Sequence, residues 1–169
     1  MPAEIRWLIA AGTLMGIGLG GFIDGIVFHQ ILALHNMLSN RIPRTTVANV
    51  EINMFWDGLF HAFCFAAVGV ALLMLWRVLA PRRAIPSGRV YIGSLWVGWG
   101  VFNLVEGVLD HEVLQLHHVY QADPERFLLW DMAFLASGLC FLLFGLGVIR
   151  TAPAFLLSQS TDLRYDEIR

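Results

Sequence analysis

The sequence predicts an all-α fold: a four-transmembrane-helix bundle made of two duplicated helical hairpins, with pseudo-two-fold symmetry along the membrane normal. Three observations carry that expectation. The 169 residues are 57% hydrophobic and only 14% charged, far more apolar than a soluble domain of this size requires. Four apolar stretches are each long enough to cross a hydrocarbon core of roughly 30 Å, which takes about 20 helical residues. A polar-punctuated segment at the end of the first stretch recurs without a gap at the end of the third.

The first stretch covers about residues 5–34. It lacks the basic leader, short core and small-residue cleavage site of a signal peptide and is expected to be retained. It carries Gly12, Gly16 and Gly20, with Gly21 and Gly25 on the neighbouring face. Small residues four apart let helix backbones approach closely in lipid, so packing explains them. The second stretch covers about 53–76, the third 91–116 and the fourth 128–149. Trp7, Trp56, Trp76 and Trp130 fall near helix ends, where tryptophan anchors a span in the interface; Trp96 and Trp99 lie deeper and read as packing residues. Cys64 and Cys140 lie inside the second and fourth stretches with no CxxC spacing and read as buried, inert thiols. The result is one transmembrane domain over residues 1–157, with repeat halves at about 5–80 and 90–150, and a short polar cytoplasmic tail at 158–169.

Every basic residue is arginine. With four spans, both termini and the middle connection share a side, which holds Arg6, Arg77, Arg82, Arg83, Arg89, Arg150, Arg164 and Arg169; the other side has Arg41, Arg44 and Arg126. The positive-inside rule then places both termini in the cytoplasm. A net charge of -2 gives no footprint for a nucleic acid.

The repeat aligns Asp24-Gly-Ile-Val-Phe-His29-Gln-Ile-Leu-Ala-Leu-His35-Asn with Glu106-Gly-Val-Leu-Asp-His111-Glu-Val-Leu-Gln-Leu-His117-His. The acid, the glycine and both histidines coincide. Phe55-Trp56-Asp57 opening helix two likewise echoes Leu129-Trp130-Asp131 opening helix four. Duplicated hairpins of like topology imply an axis along the membrane normal. Gly25 and Gly107, each beside an acid, are positioned to make room for a bound group.

At about 1.5 Å of rise per residue, Asp24, Asp57, Glu106 and Asp131 all fall on the order of 5 to 10 Å below the non-cytoplasmic surface. An ionised side chain at that depth costs about 2.5 to 3.5 kcal/mol on insertion scales unless it is compensated. No Lys or Arg shares their level, so the candidates are histidines, protons or a bound cation, and the cation is favoured. Asn53, Asp57 and His61 share one face of helix two, and Asn103, Glu106 and Asp110 one face of helix three. Asp24 and His29, like Glu106 and His111, are five apart. A straight helix would separate them, so the histidines face a neighbouring helix or a π-bulge brings them round.

The expected metal ligands are therefore Asp24, His29, Asp57, His61, Glu106, Asp110, His111 and Asp131. His35, His117 and His118 are weaker candidates: an access port, a second site or solvated loop histidines at the outer boundary. Carboxylates and imidazoles on facing helices resemble dinuclear sites in soluble bundles by ligand type, without their Glu-x-x-His spacing. One or two transition-metal ions fit, with iron, zinc, manganese and copper not distinguished.

The segments Gly21-Phe-Ile-Asp24-Gly-Ile-Val-Phe-His29-Gln, Met54-Phe-Trp-Asp57-Gly-Leu-Phe-His61 and Asn103-Leu-Val-Glu106-Gly-Val-Leu-Asp110-His111 resemble a family of bacterial four-helix membrane proteins classed as a domain of unknown function. The resemblance spans nearly the whole chain. It implies the four-helix architecture and, through a neighbourhood of copper-handling oxidase assembly factors, a metal-related role; it supplies no catalytic residues.

Four function classes follow. The first is a metal-dependent oxidoreductase or hydrolase acting on a hydrophobic substrate. The second is a metal-handling or assembly factor for a respiratory oxidase, against which stands a donor set harder than copper(I) prefers. The third is a haem protein with His29 and His111 as axial ligands. The fourth is ion movement, opposed by cytoplasmic helix halves almost free of ionisable groups.

Overall fold

A computed structural model describes residues 1–80, 85–152, 155 and 156. Four helices in it are long and apolar enough to cross a membrane: Ala3–Ile31, Val47–Leu79, Gly88–Val113 and Pro124–Thr151. The first comprises α1 (Ala3–Ile23) and a π-helical segment, Asp24–Ile31; the third comprises α3 (Gly88–Glu106) and a second π-helical segment, Gly107–Val113. The second is α2 (Val47–Leu79). A 3₁₀ turn at Pro124–Arg126 leads into α4 (Phe127–Thr151). The expected tail at 158–169, and Arg82, Arg83, Arg164 and Arg169 from the orientation count, lie outside the described residues.

Helix α2 starts earlier than its apolar pattern suggests, because polar capping extends it. The Thr46 hydroxyl accepts the Asn49 amide at 3.2 Å, and Asn53 donates to the Ile42 and Asn49 carbonyls while accepting the Leu38 amide. Asn53 is thus a loop anchor and not part of a polar stripe aimed at a site. At the opposite end, Ile85–Pro86 pairs antiparallel with Phe155–Leu156, tying the α2–α3 connection to the chain beyond α4.

The helices lie in the order α2, α1, α3, α4, since α1 packs on both α2 and α3, and α3 on α4. Burial follows: half of the most apolar window is buried in the first span and 44% in the third, against 17% in the second and 11% in the fourth. Lipid is the natural solvent for the remaining apolar faces of α2 and α4. Cys64, at the α1–α2 contact, is fully buried, but Cys140 is exposed on α4, contrary to the expectation that both thiols are interior. The α1–α3 contact is closest at Gly16 and Gly98, where an added methyl on either residue would strike the opposing backbone. Trp96 and Trp99 stack at 5.6 Å and pack on Phe141, as expected of packing residues.

Both π segments end alike. Leu32 N–H bonds to the Val27 carbonyl and Leu34 N–H to Phe28, and Leu114 N–H bonds to Leu109 and Leu116 N–H to Asp110. Between each pair of bonds sits a left-handed residue, Ala33 (φ 49°) or Gln115 (φ 48°). These positive φ values turn the chain back over the helix ends instead of letting it run out. The two returning loops then interlock. Asn40 N–H bonds to the Leu116 carbonyl, Gln121 N–H to Leu34, and the Arg41 guanidinium to Leu114.

Candidate metal centre

The five-residue spacings are resolved by the π geometry in both places. With i→i+5 bonding, residues five apart come onto one face. His29 Nε2 accordingly lies 3.0 Å from Asp24 Oδ2. His111 and Glu106 fall in a common group whose ligand atoms all lie within 4.8 Å of one another.

The chain reversals bring in two further histidines. His35 and His117 are 1% and 0% exposed, so the solvated-loop reading of these two is overturned. Their rings stack face to face, 4.5 Å between centroids and 4° from parallel. Each ring is held across the loop junction: His35 Nδ1 donates to the Val119 carbonyl at 2.9 Å, and His117 Nδ1 to the Met37 carbonyl at 3.0 Å. A carbonyl only accepts, so Nδ1 carries the hydrogen and Nε2 keeps its lone pair. Burial, together with the neighbouring imidazoles, pushes His35 well below the usual histidine range and His117 down to about 4. Both rings are therefore neutral near pH 7.

Three overlapping sets place their donor atoms within 4.8 Å of one another: His29, His35 and His117; Glu106, His111 and His117; and Asp24, His29 and Glu106. These six buried side chains carry a concentration of unpaired polar atoms. Asp24 Oδ2, both Glu106 oxygens, both His111 nitrogens, and Nε2 of His29, His35 and His117 have no hydrogen-bond partner. Buried polar groups are normally satisfied, which makes so many converging orphans a demand for a ligand.

Asp57 and Asp131, expected as ligands, stand behind this centre. Asp57 accepts from His29 Nδ1 at 2.9 Å, from the Met37 amide at 2.8 Å, from Gln30 and from Asn36 Nδ2. Its oxygens are occupied by the histidine and by the loop. Asp131 accepts from His118 Nδ1 at 2.7 Å and the Val119 amide at 3.0 Å, with His111 Nδ1 at 3.4 Å. His118 is spent on Asp131 and on stacking with Phe127. His61 lies near Phe22 and Phe60, with Nε2 buried, unpaired and pressed on Gly25. Gly25 thus makes room for the His61 ring, and Gly107 for Leu135, where a bound group was expected. Asp110 is half-buried in the wall of a cleft beside Glu106. None of Asp57, His61, Asp110, Asp131 and His118 belongs to the three converging sets.

Arg41 and Arg44 donate to loop carbonyls and to Asn36, and among the described residues the one arginine–carboxylate pair is Arg126 with Asp123.

The fold and the centre define a multi-pass membrane protein with a buried histidine–carboxylate cluster capable of holding a metal ion. The chain belongs to the family described as "Predicted membrane protein (DUF2243)", whose model matches residues 11–152. Neither a curated protein nor a solved structure matches it.

Proposed function

We propose that this protein binds one or two transition-metal ions through Asp24, His29, His35, Glu106, His111 and His117, and uses them in redox or hydrolytic chemistry on a hydrophobic molecule. The observation carrying the proposal is the convergence of unpaired donor atoms from all six side chains. A second proton on His29 would satisfy its contact with Asp24. It would leave the lone pairs of His35 Nε2 and His117 Nε2 without a donor between them. A cation satisfies them together.

The surroundings suit a metal. His29 is oriented by Asp57 in the carboxylate–histidine arrangement that fixes a metal-ligating ring, and His35 and His117 are oriented by carbonyls. Imidazole with carboxylate favours iron, zinc or manganese over copper(I), which makes an enzyme the better reading than a copper-delivery factor for a respiratory oxidase. Haem is disfavoured because His35 and His117 crowd both rings that would be axial ligands: His35 lies 4.5 Å from His29 and 6.3 Å from His111 between ring centroids, and His117 lies 5.6 and 4.8 Å from the same two. The recurrence of π segment, left-handed residue and buried histidine in both hairpins supports duplication, with His35 and His117 astride the axis. The arginine distribution supports cytoplasmic termini in a bacterial inner membrane, with the centre near the opposite face.

Elemental analysis and an optical spectrum of the purified full-length chain test the reading. One or two equivalents of iron, zinc or manganese are expected, lost in a His35→Ala, His117→Ala double variant that remains folded. A Soret band would establish the haem alternative, and metal-free protein from metal-replete cells would overturn the proposal.

A further inference from the structure

The loop end of the bundle is closed over the centre. His35 and His117 are buried, and the loops carrying them are bonded to each other at Asn40–Leu116 and Gln121–Leu34. Openings exist at the sides instead. One cleft, of about 340 Å³, lies between Phe60 and Phe63 of α2 and Phe102 and Val105 of α3, and reaches Glu106 and Asp110. A second, of about 250 Å³, lies on the other flank between α1 and α4 and reaches Asp24. The first is wide at its rim, where Phe63 is 58%, Val105 52% and Leu109 47% exposed, so it faces lipid.

Its polar lining sets it apart from an ordinary lipid groove. Glu106 is 5% exposed with both oxygens unpaired, and Asp110 stands half-buried beside it, its carboxylate without a hydrogen bond among the described residues. Asp110 is acceptor-only when ionised and faces a medium without water, which is costly unless a donor arrives. The second cleft has Phe28 where the repeat aligns Asp110, so it offers one carboxylate fewer.

We propose that this α2–α3 cleft admits a lipid-soluble phenol from the bilayer, with its hydroxyl donated to Asp110 and its ring between Phe60, Phe63 and Phe102. The proposal rests on the metal-centre reading for the site the cleft leads to, and it names the molecule that approaches that site. A hydroxyl supplies the missing donor, an aromatic ring matches the phenylalanine walls, and an apolar tail is at home in the bilayer. The volume accommodates a substituted ring and leaves the tail in lipid.

The test is photolabelling of the full-length protein in lipid nanodiscs with a diazirine-bearing alkylphenol, followed by peptide mapping and competition. Label is expected on the peptides containing Phe60, Phe63 and Val105 to Asp110. Unlabelled 4-nonylphenol should displace it at a concentration at least tenfold below that of nonylbenzene, which lacks the hydroxyl. In Asp110→Leu the two competitors should become equivalent, and Phe63→Trp, which fills the rim, should abolish labelling. Equal competition in the unaltered protein, label spread evenly over all four helices, or a phenol preference that survives Asp110→Leu would overturn the proposal. Metal content is measured on the same samples. Metal-free protein that labels as expected would overturn the metal reading alone, and metal-loaded protein without selective labelling would overturn the cleft alone.

Discussion

Asp57 joins the two tasks on which the centre depends, since one oxygen takes both the His29 ring and the Met37 amide while the other takes Asn36 and Gln30. Asp57→Asn places an amide where at least one donor already points. Metal affinity is expected to fall about 10- to 100-fold, the usual penalty for losing a partner behind a metal-bound histidine, as read by competition with a chromogenic chelator. His61 makes the contrasting case. Its buried Nε2 has no partner, and the position matched to it in the second hairpin is Leu135. His61→Leu should leave metal content unchanged and should keep or raise the thermal midpoint, because an unsatisfied buried group costs about 1 to 3 kcal/mol. Loss of metal in that variant would return His61 to the ligand set. Depth along the helix was legible from the sequence, which is why all four acids were placed at one level. Direction was not: Asp57 and Asp131 share the depth of Asp24 and Glu106 but turn their oxygens to loop amides and ring nitrogens.

At the scale of an element, the five-residue acid–histidine spacing was itself the signal for a π segment, because an α-helix does not bring such a pair together. The reversal that follows was hidden. Ala33 and Gln115 adopt positive φ, yet neither is a glycine or asparagine that would advertise it, so His35 and His117 looked like residues beyond the membrane. The gapless sequence match of 24–36 with 106–118 was the one clue, since it paired both histidines as closely as the acids. A β-branched side chain tolerates that conformation least, and the left-handed region already costs an L-residue roughly 1 to 2 kcal/mol. The Ala33→Val, Gln115→Val double variant is therefore expected to lose metal and to expose both loops to protease, while far-ultraviolet circular dichroism shows the four helices intact. Retained metal in that variant would mean that His35 and His117 do not need the reversal to reach the centre.

For the whole molecule, the four spans were legible from hydropathy, but their order was not, because apolar faces on all sides of a helix do not say which helix is central. The α1–α3 contact decides it. Gly16 against Gly98 lets the two backbones close, and beyond that point the π segments bring Asp24 and His29 to Glu106 and His111. Gly98→Leu drives a side chain into the Thr13 carbonyl, and overpacking of this kind typically costs about 1 to 3 kcal/mol. Reduced thermal stability together with loss of metal is expected, whereas Phe65→Ala on the lipid-facing side of α2 should change neither.

A metal held by ligands from both hairpins, as proposed, would also act as a clamp between them. An ion present at about 100 times its dissociation constant stabilises the folded state by roughly 2.7 kcal/mol, so chelation should lower the thermal midpoint by an amount that grows with the metal concentration of the starting sample. The loops make the sharper readout. Because His35 is bonded to Val119 and His117 to Met37, each hairpin's histidine is positioned by the other hairpin's loop. Removing the ion should therefore raise amide hydrogen exchange in residues 32–46 and 114–123 together, by similar factors, and leave the α1–α3 contact at Gly16 protected. Exchange that rises in one loop alone would place the ion within a single hairpin, and the shared centre would give way to a one-sided site.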